Sequence, residues 1–192
     1  MIDESKLIEK EKSSELIFDG RVLHLYRDEI ILPDGSEGIR EYCNHNGGVC
    51  VLPLTDEGEV ILVKQYRYAH RKCTLEIPAG KLEKGEKNDI RSAALRELKE
   101  ETGAECEELI YLGEMYPSPA LLSEVIYMYF ARGLKFGERH LDDDEFLECE
   151  RVTLDRMIEM IEEGLLPDAK TQIAALRVKK LLNDEKKGKR SI

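Results

Sequence analysis

Paired cysteines, paired histidines, long apolar runs and a basic surplus are all missing from this sequence, and each absence removes a class of protein. The five cysteines, Cys43, Cys50, Cys73, Cys106 and Cys149, are odd in number and scattered, with no CxxC spacing. Neither a disulfide framework nor a zinc site is expected from them, and reduced thiols in the cytosol are the simplest reading. His24, His45, His70 and His140 show no paired spacing, so none is a candidate ligand or base. No apolar run approaches the roughly 20 residues that cross a bilayer. Residues 1–6 are charged where a secretory signal would be apolar, so the expected location is cytoplasmic, with no membrane partner. Lys and Arg number 29 against 40 Asp and Glu, a formal net charge of −11. With no basic excess to offset phosphate repulsion, nucleic acid is not expected as a partner. An acidic protein that acts on phosphates needs a cation between itself and its substrate.

What is present is a chain of 192 residues, 42% hydrophobic and 36% charged, the balance of a soluble globular protein with a real core. The first dozen residues are polar and are expected to be weakly ordered. Pro33-Asp34-Gly35 is a turn between strands predicted over 21–32 and 39–43. After the break at Gly47-Gly48, aliphatic and β-branched runs at 49–54 and 60–66 flank Asp56-Glu57-Gly58 as a second hairpin. A short strand over 74–77 runs into Pro78-Ala79-Gly80, and strands are also expected over 109–114, 125–131 and 146–152. Ile90, Ala94 and Leu98 have helical spacing, with Gly103 at a stop position. Leu154, Met157, Ile158 and Ile161 define a second helix between Thr153 and Gly164. Asp168 caps a third that runs to about Asn183, and the tail from Asp184 is lysine-rich and frayed. Strands interleaved with helices indicate an α/β (α+β) fold, a mixed sheet with helices on its faces. The strands before Gly47 form a separate β appendage, and residues 184–192 a basic tail, around a main domain over 47–183.

The chemistry concentrates at Arg96-Glu97-Leu98-Lys99-Glu100-Glu101. On a helix, Glu97, Glu100 and Glu101 lie at i, i+3 and i+4, within about 100° of one face. Like charges so placed repel, and Arg96, four residues before Glu100, offsets part of this. A solvated helix face is the ordinary explanation for such a run. Against it, Gly80-Lys81-Leu82-Glu83-Lys84-Gly85-Glu86 leads into the helix from an apolar strand and adds carboxylate. Concentrated carboxylates with little counter-charge suit a hard divalent cation, which can polarise phosphoryl oxygen and activate water.

These residues resemble a known family. Gly80…Glu86…Arg96-Glu97-Leu98-Lys99-Glu100-Glu101-Thr102-Gly103-Ala104 is similar to the Nudix box, G-x5-E-x7-R-E-U-x-E-E-x-G-U, where U is aliphatic. Glu86 and Arg96 are separated by nine residues where the family has seven, which places two extra residues at Lys87-Asn88. Gln65-Tyr66-Arg67, Leu75-Glu76-Ile77-Pro78-Ala79-Gly80 and Tyr116-Pro117-Ser118-Pro119 resemble segments of the ADP-ribose pyrophosphatase subgroup, as do Asp142-Asp143-Asp144-Glu145-Phe146 and Asp168-Ala169-Lys170-Thr171. Ala120 stands where that subgroup often has glycine.

The resemblance implies a Nudix-like α/β/α sandwich and Mg²⁺, or Mn²⁺ in its place, as cofactor. Glu97 and Glu101 would be the main metal ligands, joined by the Ala79 carbonyl and assisted by Glu100, with Arg96 in the catalytic set. Arg67, Glu76 and Pro119 would meet a nucleoside diphosphate-linked substrate. Glu145, with Asp143 and Asp144 as rivals, would act on the attacking water. ADP-ribose is the expected substrate. A sugar nucleotide such as GDP-mannose, or a ligand-sensing module without turnover, are the alternatives. The family also implies a homodimer formed through the N-terminal strands, with the adenine held between subunits.

Overall fold

The computed structural model describes residues 3–141 and 145–188. The chain divides into two compact units, Met1–Asn46 with Tyr116–Glu124, and Gly47–Met115 with Val125–Ile192. Among the described residues no helix is long and apolar enough to cross a membrane.

The first unit is an antiparallel meander of β1 (Lys10–Asp19), β2 (His24–Ile31) and β3 (Glu37–Asn44). At the β2–β3 turn the Asp34 carboxylate accepts from Ser36 N at 2.9 Å and Ser36 Oγ at 2.6 Å. β1 corrects the expectation of a weakly ordered start. Its first residues pair with β2, Lys10 with Ile31 and Glu11 with Ile30, and Lys12 bridges Glu37 at 2.8 Å. Every residue of β1 is exposed, so the strand forms by pairing with a neighbour and has no apolar alternation of its own to announce it. The Tyr116–Glu124 segment joins this unit through Cys43, whose N–H donates to Leu121 O and whose carbonyl accepts from Ser123 N.

The second unit contains β4 (Gly48–Pro53), β5 (Glu59–Arg67), β6 (Lys72–Glu76), β7 (Ala79–Lys81), α1 (Ile90–Thr102), β8 (Ala104–Met115), β9 (Ile126–Phe136), β10 (Leu147–Thr153), α2 (Leu154–Glu162) and α3 (Ala169–Lys186). One sheet has the order β7-β4-β9-β8 and the other β10-β5-β6. The first is mixed, because β4 and β9 run parallel while its other pairs are antiparallel. All of β4 is buried, and its residues alternate between two cores. Val49 and Val51 pack with Ala93, Ala94 and Leu98 of α1. Cys50 and Leu52 pack with Leu154 and Met157 of α2 and with Ala174, Ala175 and Val178 of α3. A strand covered on both faces reads as a continuous apolar run, and the helix–sheet–helix layering follows from it.

The helix ends follow local rules. Asp89, Thr153 and Asp168 each accept a backbone N–H from three residues on, and Gly103 closes α1 at φ +70°, where a side chain would be strained. The two extra residues at Lys87-Asn88 fall in a 3-10 turn, Glu86–Asn88, ahead of the Asp89 cap. Two differences from the expected elements have physical causes. Pro78-Ala79-Gly80 leads into a real strand, β7, because Ala79 and Gly80 pair with Cys50 and Val49. The last helix runs to Lys186, into the tail, where Lys180 pairs with Asp184 one turn on.

Both faces of the mixed sheet are thus sealed by helices, and α1 depends on its one buried leucine. Leu98→Ala should destabilise the protein by about 2–5 kcal/mol, read as a lower urea midpoint. An unchanged midpoint would show that α1 does not close that core.

Candidate active site

The site is assembled around the crossing from β6 to β7, where four consecutive residues are tied to four different elements. Glu76 is held by Arg67 of β5, with Nε–Oε1 at 2.8 Å and Nη2–Oε2 at 2.7 Å. Ile77 N donates to Thr171 Oγ1 of α3 at 2.9 Å. Pro78 O accepts from Val51 N of β4 at 2.9 Å. Ala79 N donates to Glu101 Oε2 of α1 at 3.0 Å.

Helix α1 turns Glu97 and Glu101 inward, one helical turn apart, leaving them only 7% and 2% exposed. Gly80 lies directly against Glu97, and a Cβ there would come within 1.9 Å of Oε1, so a side chain would displace the Glu97 carboxylate. Glu100 lies on the flank and binds Arg96 Nη1 at 2.7 Å. Arg96 also grips Glu86, Nε–Oε1 at 2.9 Å and Nη2–Oε2 at 3.1 Å, and stands 2.9 Å from Glu97 Oε1. The 3-10 turn therefore delivers Glu86 to Arg96 despite the lengthened loop.

This arrangement sorts the acids by charge balance. Glu86 is held below the usual carboxylate range, first by its Arg96 bonds. Burial pushes Glu97 up to about 7, against the pull of Arg96 and reinforced by the charges of Glu100 and Glu145. Burial likewise pushes Glu101 up to about 8, opposed by the Ala79 N–H and reinforced by Glu97 and Glu145. The Arg67 charge favours ionised Glu101, and Glu101 in turn raises the Arg67 pKa, though its Glu76 bonds contribute most. For Glu76, burial alone would raise the pKa, but Arg67 and Lys170 together hold it at about 2.

Of the residues picked out in the sequence, Glu97, Glu101, Ala79 and Arg96 come together directly, and Arg67 with Glu76 forms an adjoining cluster. Glu145 leaves the sheet two residues before the first β10–β5 pair, Leu147 with Gln65, and its charge is felt by both buried glutamates. Asp143 and Asp144 lie outside the described residues. Pro119 belongs to the first unit, in Tyr116–Glu124. Among the described residues no three acidic, histidine or cysteine side chains form a ready-made metal cage. The oxygen donors on hand, two buried carboxylates beside a turn of backbone, suit a cation such as Mg²⁺, which keeps several waters and takes only one or two protein carboxylates.

Sequence reasoning gave no role to Lys170. It is 7% exposed and lies 2.5 Å from Glu76 Oε2 and 2.9 Å from Asp168 Oδ1. No local pattern signals it, because its partner Glu76 lies 94 positions away. A cavity of about 300 Å³ opens here, lined by Arg67, His70, Lys72, Thr74, Glu76, Pro167, Asp168 and Lys170.

Raised carboxyl pKa values make folding pH-dependent in a definite direction. The penalty for ionising Glu97 and Glu101 is absent below the unfolded value near 4.3 and grows as pH climbs through the folded values of about 7 and 8. In chelator, stability should therefore fall between pH 5 and 8.5 by on the order of 2–4 kcal/mol. That corresponds to a drop in Tm of about 5–10 °C. Glu101→Gln should flatten the profile, and identical profiles for the two proteins in a thermal melt would contradict the assignment.

Comparison with known proteins fits this geometry. Residues 44–175 match the NUDIX domain, and residues 9–42 match the nucleoside diphosphate sugar hydrolase N-terminal domain. The "Methanol dehydrogenase activator" of Bacillus methanolicus is 45% identical over 168 residues, covering 86% of this chain and 90% of that protein. The "ADP-ribose pyrophosphatase" of Bacillus subtilis (strain 168) is 42% identical over 184 residues, covering 94% of this chain and 98% of the relative. A solved structure, described as that of an ADP compounds hydrolase, superposes with a TM-score of 0.83 at 23% identity, covering 93% of this chain and 97% of that one, and so shares the fold. With a Nudix domain matched over more than half its length, the chain belongs to the Nudix family of hydrolases.

Proposed function

We propose that this Nudix hydrolase cleaves the diphosphate linkage of ADP-ribose, giving AMP and ribose 5-phosphate. The observation that carries the proposal is the pair of buried carboxylates, Glu97 and Glu101, with the Arg67 guanidinium in electrostatic reach of Glu101. The 42% identity to an ADP-ribose pyrophosphatase supports the choice of substrate.

Glu97, Glu101 and the Ala79 carbonyl would hold Mg²⁺, which supplies charge neutralisation at the diphosphate and acidifies water. In an extended strand the N–H and C=O of one residue face the same side. The Ala79 N–H points to Glu101, so its carbonyl opens toward the same carboxylates. Arg67, fixed by Glu76, meets a phosphate and sets the substrate along the site. Glu145 orients the attacking water and takes its proton. The water oxygen bonds to one phosphorus, and the bridging P–O bond breaks, its electron pair leaving with the other phosphate. Arg96 restrains Glu86 and Glu100 and keeps the helix face ordered. Such chemistry depends mainly on positioning and electrostatics.

The direct test is initial rates on ADP-ribose and GDP-mannose with Mg²⁺, with AMP and ribose 5-phosphate identified as products. A larger kcat/KM on ADP-ribose is expected, and a preference for GDP-mannose would move the assignment to sugar nucleotides. Inactivity on a panel of nucleoside diphosphate derivatives would favour a sensing module. Glu101→Gln should lower kcat by about a hundredfold or more while the protein stays folded, and full activity at saturating Mg²⁺ would remove Glu101 from the metal site.

The same reading includes a homodimer. The first unit exposes Leu16, Ile17, Phe18, Leu23 and Ile39, each about half exposed, more apolar surface than a small sheet carries comfortably in water. Light scattering at micromolar concentration should give twice the 22.0 kDa chain mass. Phe18→Asp should shift that mass toward one chain, and a monomeric wild type would count against pairing.

A further inference from the structure

Lys170 is placed where electrostatics alone would not put a lysine. It sits in the first turn of α3, where the helix dipole disfavours a cation, and it is 7% exposed, where an ammonium loses its hydration. Burial would lower its pKa, but Asp168 and Glu76 outweigh that and keep it charged.

Glu76 explains what the charge does there. Its two oxygens accept four donors, Arg67 Nε at 2.8 Å, Arg67 Nη2 at 2.7 Å, Thr74 Oγ1 at 2.5 Å and Lys170 Nζ at 2.5 Å. An Arg67–Glu76 fork by itself would be neutral and would offer little to an incoming anion. Lys170 shares the Glu76 carboxylate, so Arg67 is oriented without being fully neutralised. Asp168 offsets part of this charge through its 2.9 Å contact with Lys170, while its second oxygen accepts from Thr171 N at 2.9 Å and Thr171 Oγ1 at 2.5 Å, at the positive end of α3. The cavity adds Lys72 at its wall, so three cations, Arg67, Lys72 and Lys170, stand against the two carboxylates that line it.

We propose that Lys170 is a positioning residue for the substrate diphosphate: through Glu76 it fixes the Arg67 guanidinium at the cavity and supplies the positive surplus that an entering phosphate meets. The inference rests on the hydrolase reading above for its substrate and its kinetic test, but not for the binding test that follows. In steady-state kinetics on ADP-ribose with saturating Mg²⁺, Lys170→Met and Lys170→Gln should raise KM about tenfold or more with kcat within about threefold. Lys170→Arg should return KM to within about threefold of wild type, since it restores the charge.

Titration calorimetry with inorganic pyrophosphate and Mg²⁺ reads the same property without turnover, and either neutral variant should bind about tenfold more weakly. Whichever neutral variant folds decides the matter. Unaltered KM and unaltered pyrophosphate affinity, or the same loss in Lys170→Arg as in Lys170→Gln, would overturn the proposal and leave Lys170 a stabilising ion pair. A wild type that binds pyrophosphate in a Lys170-dependent way without hydrolysing ADP-ribose would instead sink only the functional reading.

Discussion

Glu97 and Glu101 stand one turn apart on the buried side of α1, and the difficulty of keeping both ionised there governs their surroundings. Water is largely excluded from them, each lies in the field of the other, and Glu145 adds a third negative charge. Arg96 cannot neutralise the set, because it is already divided among Glu86, Glu97 and Glu100. The fold thus buries two acids that ionise only at a cost, the setting in which a cation with oxygen ligands would favour their charged forms. A net charge of −11 on the whole chain points the same way: the attraction for a phosphate substrate has to be local.

Locality is provided by a very short stretch of backbone. From Glu76 to Ala79, successive residues are bonded to β5, α3, β4 and α1. One end of the stretch sets the cationic cluster and the other end sets the anionic one. A small shift of this crossing would move both clusters together, so their separation is determined by covalent geometry more than by loop packing. That is how a site with opposite charges on its two sides can be precise without a rigid cage of ligands.

Much of this could be read directly from residue order. The α1 boundaries follow from Asp89, a capping residue, and from Gly103, whose positive φ few other residues tolerate. The box residues are close in sequence and on one helix, so helical periodicity alone brings Glu97 and Glu101 together. The rest depended on tertiary partners. β1 buries no apolar face in this chain and is held by the ladder that β2 offers it. β7 is three residues long and is defined by pairing with β4. Tyr116–Glu124 is bound to Cys43, more than seventy positions away, which no local pattern encodes. Lys170 bonds to Glu76 across 94 positions, and a lone lysine near a helix start is too common to suggest it.

The lengthened loop shows where the box tolerates change. Two residues inserted inside α1 would rotate Glu101 by about 200° relative to Glu97, at 100° per residue, and destroy the site. Ahead of the Asp89 cap they fall in a 3-10 turn, where they bear on the contact between Glu86 and Arg96 and leave the helix phase alone. A long, forked guanidinium has the reach to recover that contact, and here it does so with two hydrogen bonds. In this chain the acid of the lengthened loop still pairs with the arginine of the helix. The spacing from Glu97 to Glu101 has no such slack, because it is set by the helix itself.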